Sequence, residues 1–546
     1  MERAPADANQ APEFAPRDLW ADDIALREAV MREGGGDFAA GLETYGRLAG
    51  NRLYGLSFDA HRDRPRLRTH DRFGARIDLV EFHPNYHAIM QMAIEHGVAG
   101  LSWMEPRPGT QVARAALSYL HYQVEPGSSC PLTMTHAAVP VLRREPRLRV
   151  WADKAAQPRY DGRNLPIEQK AGITLGMGMT EKQGGSDVRA NTTRATPLAG
   201  GGDYTLNGHK WFFSAPMSDG FLVTAQAPGG LTCFLMPRWK SDGTRNAFRL
   251  LRLKDKLGDW SNASSEVEFD DAWAMRVGEE GRGIAIILEM VMYTRLDCML
   301  GSAALMRMAL AQALHHCRHR RAFGKHLVDQ PLMLNVLADI ALESEAATAF
   351  AIRVAAAVDR ASQDAGEAAF ARIATAIGKF HVCKRAPVVV NEAQECLGGN
   401  GYVEESLLPR LYRQAPLNSI WEGSGNIQCL DVLRALAREP DAVDALQREL
   451  SSVGGLDAGY DAELERLQLA LGGSARVDEG DARRLVESLA LALQAGVLLR
   501  AGNPLAVPFC ASRIGGRHGR VLGTLERGAW MESALQRALP IAAPGL

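Results

Sequence analysis

The sequence predicts an α+β fold in four parts: an N-terminal helical domain, a central antiparallel β domain, a C-terminal helical bundle, and a helical extension behind it. Three observations carry this. Apolar residues recur at helical spacing up to about residue 175 and again from Gly283 onward. Between those stretches the period changes to short β-type runs punctuated by glycine and Asp-Gly turns. With 546 residues the chain is long enough for several large cores.

Residues 1–20, rich in proline and alanine, read as an extended arm. Residues 21–175 read as the N-terminal helical domain. Tyr86, Ile89, Met90 and Ile94 fall on one helical face, and so do Val112, Ala115, Ala116, Tyr119 and Leu120. Pro84, Pro106 and Pro126 punctuate these helices. Residues 176–283 read as the β domain, with runs at 221–225, 231–236 and 265–269. Residues 284–438 read as the bundle, with helices over 284–320, 331–359, 367–397 and 427–438. Residues 439–546 are helical in composition and form the extension. No internal repeat or low-complexity tract stands out.

Apolar residues make up 46% and charged residues 23%, as in ordinary globular proteins. The net charge of −2 excludes a generally basic nucleic-acid binder, so any such role rests on a local patch. Eight cysteines lie between Cys130 and Cys510 without a C-x-x-C pair, which reads as reduced usage. The N-terminus lacks an apolar signal core, and no apolar run reaches about 18 residues. A cytoplasmic protein is the expectation.

The stretch Gly176–Asp187 organises the chemistry. Its small side chains let backbone approach a flat or anionic ligand, and its hydroxyls supply donors. Locally, such runs are also ordinary turns. No G-x-G-x-x-G follows a strand and no Walker A sequence is present, so a Rossmann nucleotide site is disfavoured. His315, His316, Cys317 and His319 lack a second cluster or a carboxylate motif, so no metal site is expected.

Four separated motifs in this order resemble the acyl-CoA dehydrogenase family over about residues 60–438. They are Met179-Thr-Glu-Lys-Gln-Gly-Gly-Ser-Asp187, Asn207-Gly-His-Lys-Trp-Phe-Phe-Ser214, Arg320-x-x-Phe323-Gly324 with Gln330, and Gln394-x-x-Leu-Gly-Gly-Asn-Gly-Tyr402. The wording of 176–187, 253–258 and 417–427, with both terminal extensions, resembles the alkylation-response branch of that family. The resemblance implies FAD. It places Met177, Gly178, Met179, Thr180, Gly184, Gly185 and Ser186 in the first flavin motif, and Phe212, Phe213 and Ser214 on the second flavin strand. It sends Arg320, Phe323, Gln330, Gln394, Gly398 and Gly399 to the FAD of a neighbouring subunit, hence a homotetramer. Ile420, Trp421, Gly423, Ser424, Gly425 and Asn426 frame the remaining flavin contacts. Lys182-Gln183, where proline is common in the family, and Trp421 depart from ordinary dehydrogenases and put the acyl-CoA pocket in doubt.

Glu422 corresponds to the family's catalytic base, which takes the α proton of an acyl thioester. Its local sequence fits equally a helix N-terminal carboxylate beside a Gly-Ser-Gly loop. The extension changes charge along its length. Residues 441–499 hold five arginines against eleven acids, and 500–546 hold six arginines against two acids. By composition alone the second group is a solvated face. The resemblance implies that it binds double-stranded DNA, with Arg434, Arg438, Arg513, Arg517 and Arg520 as candidate contacts, largely to phosphates. The expected function is a DNA alkylation-response flavoprotein that binds duplex DNA without sequence specificity and protects it or removes alkylating agents, with weak residual acyl-CoA dehydrogenase activity. The alternatives are a metabolic acyl-CoA dehydrogenase acting on a short or branched acyl-CoA, and a flavoprotein that keeps FAD for stability alone.

Overall fold

A computed structural model describes residues 9–472 and 478–540. The first eight residues of the expected arm, and residues 473–477 and 541–546 of the extension, lie outside the described residues. The chain forms two compact units. One comprises Arg52–Arg107 and Glu125–Thr294; the other comprises the chain up to Asn51, Pro108–Val124, and everything from Arg295 onward. Compactness thus divides the N-terminal helical region between the two units and joins the extension to the bundle.

After the helix Tyr54–Arg62, the first unit forms a hairpin of β1 (Arg66–His70) and β2 (Arg76–Glu81) where the sequence reads helical. Asp71 Oδ1 accepts the Phe73 and Ala75 amides, and Gly74 takes a left-handed φ of 84°, which closes the turn. β1 holds a single apolar residue, Leu67, and β2 breaks its alternation at Leu79-Val80, so the hydrophobic period is too weak to read. The helix Pro84–Glu95 follows, with proline at its first position and the His83 ring accepting the Asn85 amide. Pro126 likewise opens the helix Pro126–Arg143, capped by the Glu125 carboxylate on the Gly127 amide.

Seven strands complete this unit: β3 (Leu175–Gly178), β4 (Arg194–Pro197), β5 (Asp203–Ser214), β6 (Gly220–Ala227), β7 (Gly230–Pro237), β8 (Phe248–Leu253) and β9 (Ser264–Val277). Their order is β3-β5-β4-β6-β7-β9-β8, and the added β3–β6 and β5–β9 pairings close the sheet upon itself. The pairings are antiparallel, as expected, except that β3 and β4 run parallel to β6. The interior is aromatic. Phe213 meets Phe221 at 4.5 Å, and Phe248 and Tyr204 join the same core. Burying each such ring contributes roughly 1.5–3 kcal/mol.

The second unit is centred on the helix Pro331–Arg360, buried without interruption from Leu337 to Val358. Its many alanines let neighbouring helices approach closely. Helix Ala365–Cys396 packs along it, started by Asp364 Oδ1 accepting the Gly366 and Glu367 amides. Helices Ile24–Arg32, Thr110–Tyr122, Ala482–Arg500 and Trp530–Ala538 also pack on the central helix. The extension therefore contributes a layer of the bundle. Among the described residues no helix is long and apolar enough to cross a membrane.

Candidate functional site

In the β unit, the first motif leaves β3 beside the end of β5, with Gly178 paired to Phe213 and the Trp211 amide donating to Thr180 O at 2.8 Å. Glycine is required where these strands meet. A Cβ on Gly176 stands 2.5 Å from Ser214 O, and one on Gly178 stands 2.5 Å from the Phe213 ring. Gly176→Ala is expected to cost about 1–3 kcal/mol and to loosen the hydroxyl-bearing strand, measured as a lower thermal midpoint and a lower flavin content.

The loop after β3 is fastened from beneath by Glu181. Its carboxylate accepts the Thr192 and Thr193 amides at 2.6 and 3.2 Å, the Thr192 hydroxyl at 2.9 Å and Lys210 Nζ at 2.7 Å. Both side chains of this ion pair are fully buried. Burial alone raises a carboxyl, but Lys210 and the hydrogen bonds outweigh it and hold Glu181 well below the usual range. Burial pushes Lys210 down to about 8 against the pull of Glu181, so both groups remain charged at neutral pH. With its carboxylate so engaged, Glu181 anchors the loop and takes no part in proton transfer.

Above this anchor the cofactor candidates divide. Thr180 and Ser214 are half-buried, while Gly185 and Ser186 are exposed. Phe212 is 51% exposed, with Lys254 Nζ 4.5 Å from its ring centroid. Phe213 points the other way, into the aromatic core, so only its backbone is available to a ligand. Met177 is buried as well. An exposed aromatic face with neighbouring hydroxyls and glycine backbone suits a flat, hydrogen-bonding ring such as a flavin.

In the helical unit, Glu422 occupies a left-handed backbone conformation, φ 58°, which is uncommon outside glycine and costs about 1–3 kcal/mol. Three successive carbonyls hold it there. Lys379 Nζ donates to Trp421 O at 2.6 Å and Gly423 O at 2.5 Å, while Arg295 Nε donates to Glu422 O at 3.1 Å. Gln428 Nε2 adds bonds to Glu422 O and Gly423 O at 3.2 and 2.9 Å. The Trp421 indole is fixed by Asn418 Oδ1, which also accepts the Tyr122 hydroxyl. The side chain of Glu422 is thereby aimed by its backbone, and the following helix Gly425–Arg438 starts at Ser424.

Arg295 is itself held by Asp431 at 2.7 Å, and Arg372 reaches the same carboxylate at 2.8 Å. Burial raises Asp431, but the two arginines outweigh it and depress the carboxyl below its ordinary value. A depressed carboxylate contributes stability that is complete above its unfolded value, about 3.9, and is lost as pH falls through the folded value. Melting curves across pH 2–6 are expected to lose stability below about pH 4, and Asp431→Asn is expected to remove this part of the slope.

The other candidates of this unit are placed as follows. Arg320 donates Nη1 to Asn9 O, and Gln330 Nε2 bonds Ala322 O at 2.9 Å. Phe323 is 99% exposed, and Gly398, Gly399, Ile420, Ser424 and Asn426 are also exposed. Gln394 is buried, donating to Gly401 O at 2.8 Å. Arg434, Arg438, Arg517 and Arg520 lie on the surface. Arg513 does not. Its side chain is 4% exposed and closes ion pairs with Asp339 and, at 2.7 Å, Glu343. The expectation that Arg513 faces a duplex is corrected by this burial. Lys379, Arg295 and Gln428 escaped sequence reading. The one available signal was Lys379 itself, a lone charge within the apolar run from Thr375 to Phe380.

Three family models match: the adaptive response protein AidB N-terminal domain over residues 9–162, the acyl-CoA dehydrogenase middle domain over 176–272, and the acyl-CoA dehydrogenase C-terminal domain over 281–437. The chain is 48% identical over 516 residues to a putative acyl-CoA dehydrogenase, AidB, of Escherichia coli, covering 94% of each chain. The structure of Caenorhabditis elegans ACDH-11 in complex with C11-CoA superposes with a TM-score of 0.86 at 25% identity, covering 97% of this chain and 95% of that one. An acyl-CoA dehydrogenase from Bacillus anthracis complexed with FAD shares the fold at a TM-score of 0.66 and 18% identity, covering 85% and 87%. The chain belongs to the acyl-CoA dehydrogenase family, carrying the N-terminal domain of AidB.

Proposed function

We propose that the chain is an FAD-binding, AidB-like oxidoreductase of acyl-CoA dehydrogenase type that serves in the DNA alkylation response, seated on double-stranded DNA. The observation that carries the redox half is the three-carbonyl clamp on the Glu422 loop. A chain that kept the flavin for stability alone has no need of a strained backbone at Glu422 whose carbonyls are held by two cations. When bound, FAD supplies the two-electron acceptor. Thr180, Ser186 and Ser214 would hold the ring by hydrogen bonds, and Phe212 would supply an aromatic surface for it. Glu422 takes the proton from the carbon beside a thioester carbonyl, and its aimed backbone spares the entropy of a mobile side chain. Phe323, Gly398 and Gly399 are exposed for contact with the FAD of a neighbouring subunit, so a homotetramer completes the site.

The DNA half rests on the extension. Arg517 and Arg520 stand on a glycine-punctuated segment, and Arg434 and Arg438 lie one turn apart on helix Gly425–Arg438. The near full-length match to AidB supports reading these as phosphate contacts in a cytoplasmic protein that limits alkylation damage. The metabolic reading, an acyl-CoA dehydrogenase with no DNA role, is favoured by one observation: Arg513 is spent on internal ion pairs. Anaerobic titration with short and branched acyl-CoAs tests the redox half. Bleaching of the flavin absorbance is expected, and its absence for every thioester offered contradicts it.

A further inference from the structure

The β unit contains a cavity of about 470 Å³ that none of the cofactor candidates lines. It lies among the β2 end, the helix Pro84–Glu95, the 160–174 segment and the loop after Ser214. One wall is the Phe82–Tyr86 ring pair, stacked at 4.1 Å and 12°, continued by Met90, Pro131 and Met217. Its polar edge is unusual. Ser218 is 2% exposed and lines the cavity, yet its hydroxyl has no hydrogen-bond partner among the described residues. A buried hydroxyl without a partner costs about 1–3 kcal/mol, so the site has a standing demand for one. The charged groups lining the cavity are already satisfied. Glu81 pairs with Arg68 at 3.2 Å, Asp161 with Arg163 at 2.7 Å, and Lys170 with Asp219 at 2.5 Å. His87 and Tyr160 hydrogen-bond each other at 2.7 Å. Among the described residues that line the space, no charge is left unpaired to draw in an ionic ligand. The volume falls within the range of roughly 300–1,000 Å³ that holds small organic molecules.

We propose that this cavity is a second small-molecule site, taking a neutral aromatic molecule with one hydroxyl or carbonyl group. The ring lies against the Phe82–Tyr86 wall and the polar group bonds Ser218 Oγ. The site is independent of Glu422 chemistry and of the DNA reading.

The test titrates flavin-loaded protein with 2-naphthol by calorimetry, beside the anionic 2-naphthoate. Saturable binding of 2-naphthol is expected, with 2-naphthoate at least about tenfold weaker because its charge finds no partner. Ser218→Ala removes a hydroxyl that bonds nothing in the fold, so the melting temperature holds or rises while binding weakens about fivefold. Met217→Trp fills the space and abolishes binding with the flavin spectrum intact. If Met217→Trp does not fold, Ser218→Ala decides alone. The proposal is overturned if 2-naphthol fails to saturate, if Ser218→Ala leaves its affinity unchanged, or if naphthoate binds equally well. It is also overturned if an acyl-CoA displaces 2-naphthol and itself loses affinity in Met217→Trp, since the cavity is then an arm of the substrate site.

Discussion

Glu422→Gln is expected to slow reduction of the bound FAD by an acyl-CoA by at least about 100-fold while the protein keeps its flavin and its melting temperature. The clamp acts on backbone carbonyls, so the isosteric amide retains the loop conformation and loses only the proton acceptor. The complementary variant, Lys379→Met, leaves the carboxylate in place and strips two carbonyls of their donor. Its kcat falls and its melting temperature falls with it, because buried acceptors go unpaired. Stopped-flow reduction under anaerobic conditions, with melting curves on the same samples, separates the two effects. A Glu422→Gln protein reduced at the parental rate contradicts the assignment of the base.

Arg513→Ala is expected to destabilise the protein by about 3–5 kcal/mol, the cost of leaving buried carboxylates without their cation. Asp339 and Glu343 both face Arg513, and Asp339 also accepts the Gly523 amide at 2.8 Å. Burial alone raises Glu343, yet Arg513 and Arg385 outweigh it and hold the carboxyl far below its usual range, so removing Arg513 withdraws the largest of the charges that offset its burial. Arg513 therefore pins the extension to the central helix. Arg517 differs in kind: it is 64% exposed, and its nearest carboxylate, on Glu526, is 3.8 Å away. Arg517→Ala with Arg520→Ala is expected to change stability by less than about 0.5 kcal/mol. Denaturant titration of the single and double variants checks both statements. Equal, small effects contradict the structural role of Arg513.

The contrast shows which features are legible in the residues themselves. Helical spacing located the helices now seen as Pro84–Glu95, Thr110–Tyr122 and Pro331–Arg360, because one face of each is uniformly apolar. The hairpin at 66–81 stayed hidden, since β1 holds one apolar residue and β2 interrupts its alternation at Leu79-Val80. Motif wording brought Thr180, Ser214 and Glu422 into view, but not what holds them. Lys379 lies 42 residues from Trp421 in the chain, and Arg295 lies 127 residues from Glu422. Arg513 reads as one more surface cation because Asp339, its buried partner, is 174 residues away. Local composition reports charge, whereas pairing across the fold decides whether that charge meets solvent.

The most direct test of the central claim is the affinity of the flavin-loaded protein for unrelated duplexes of about 30 base pairs, followed by fluorescence anisotropy across a salt series. The account predicts sequence-blind binding that weakens steeply with salt. The double variant Arg517→Ala with Arg520→Ala is expected to lower the slope of log K against log salt by about 2, at unchanged stability and flavin content. Absence of binding even at low salt, or a slope unaltered by those substitutions, contradicts the DNA-seated reading and leaves a metabolic acyl-CoA dehydrogenase in its place.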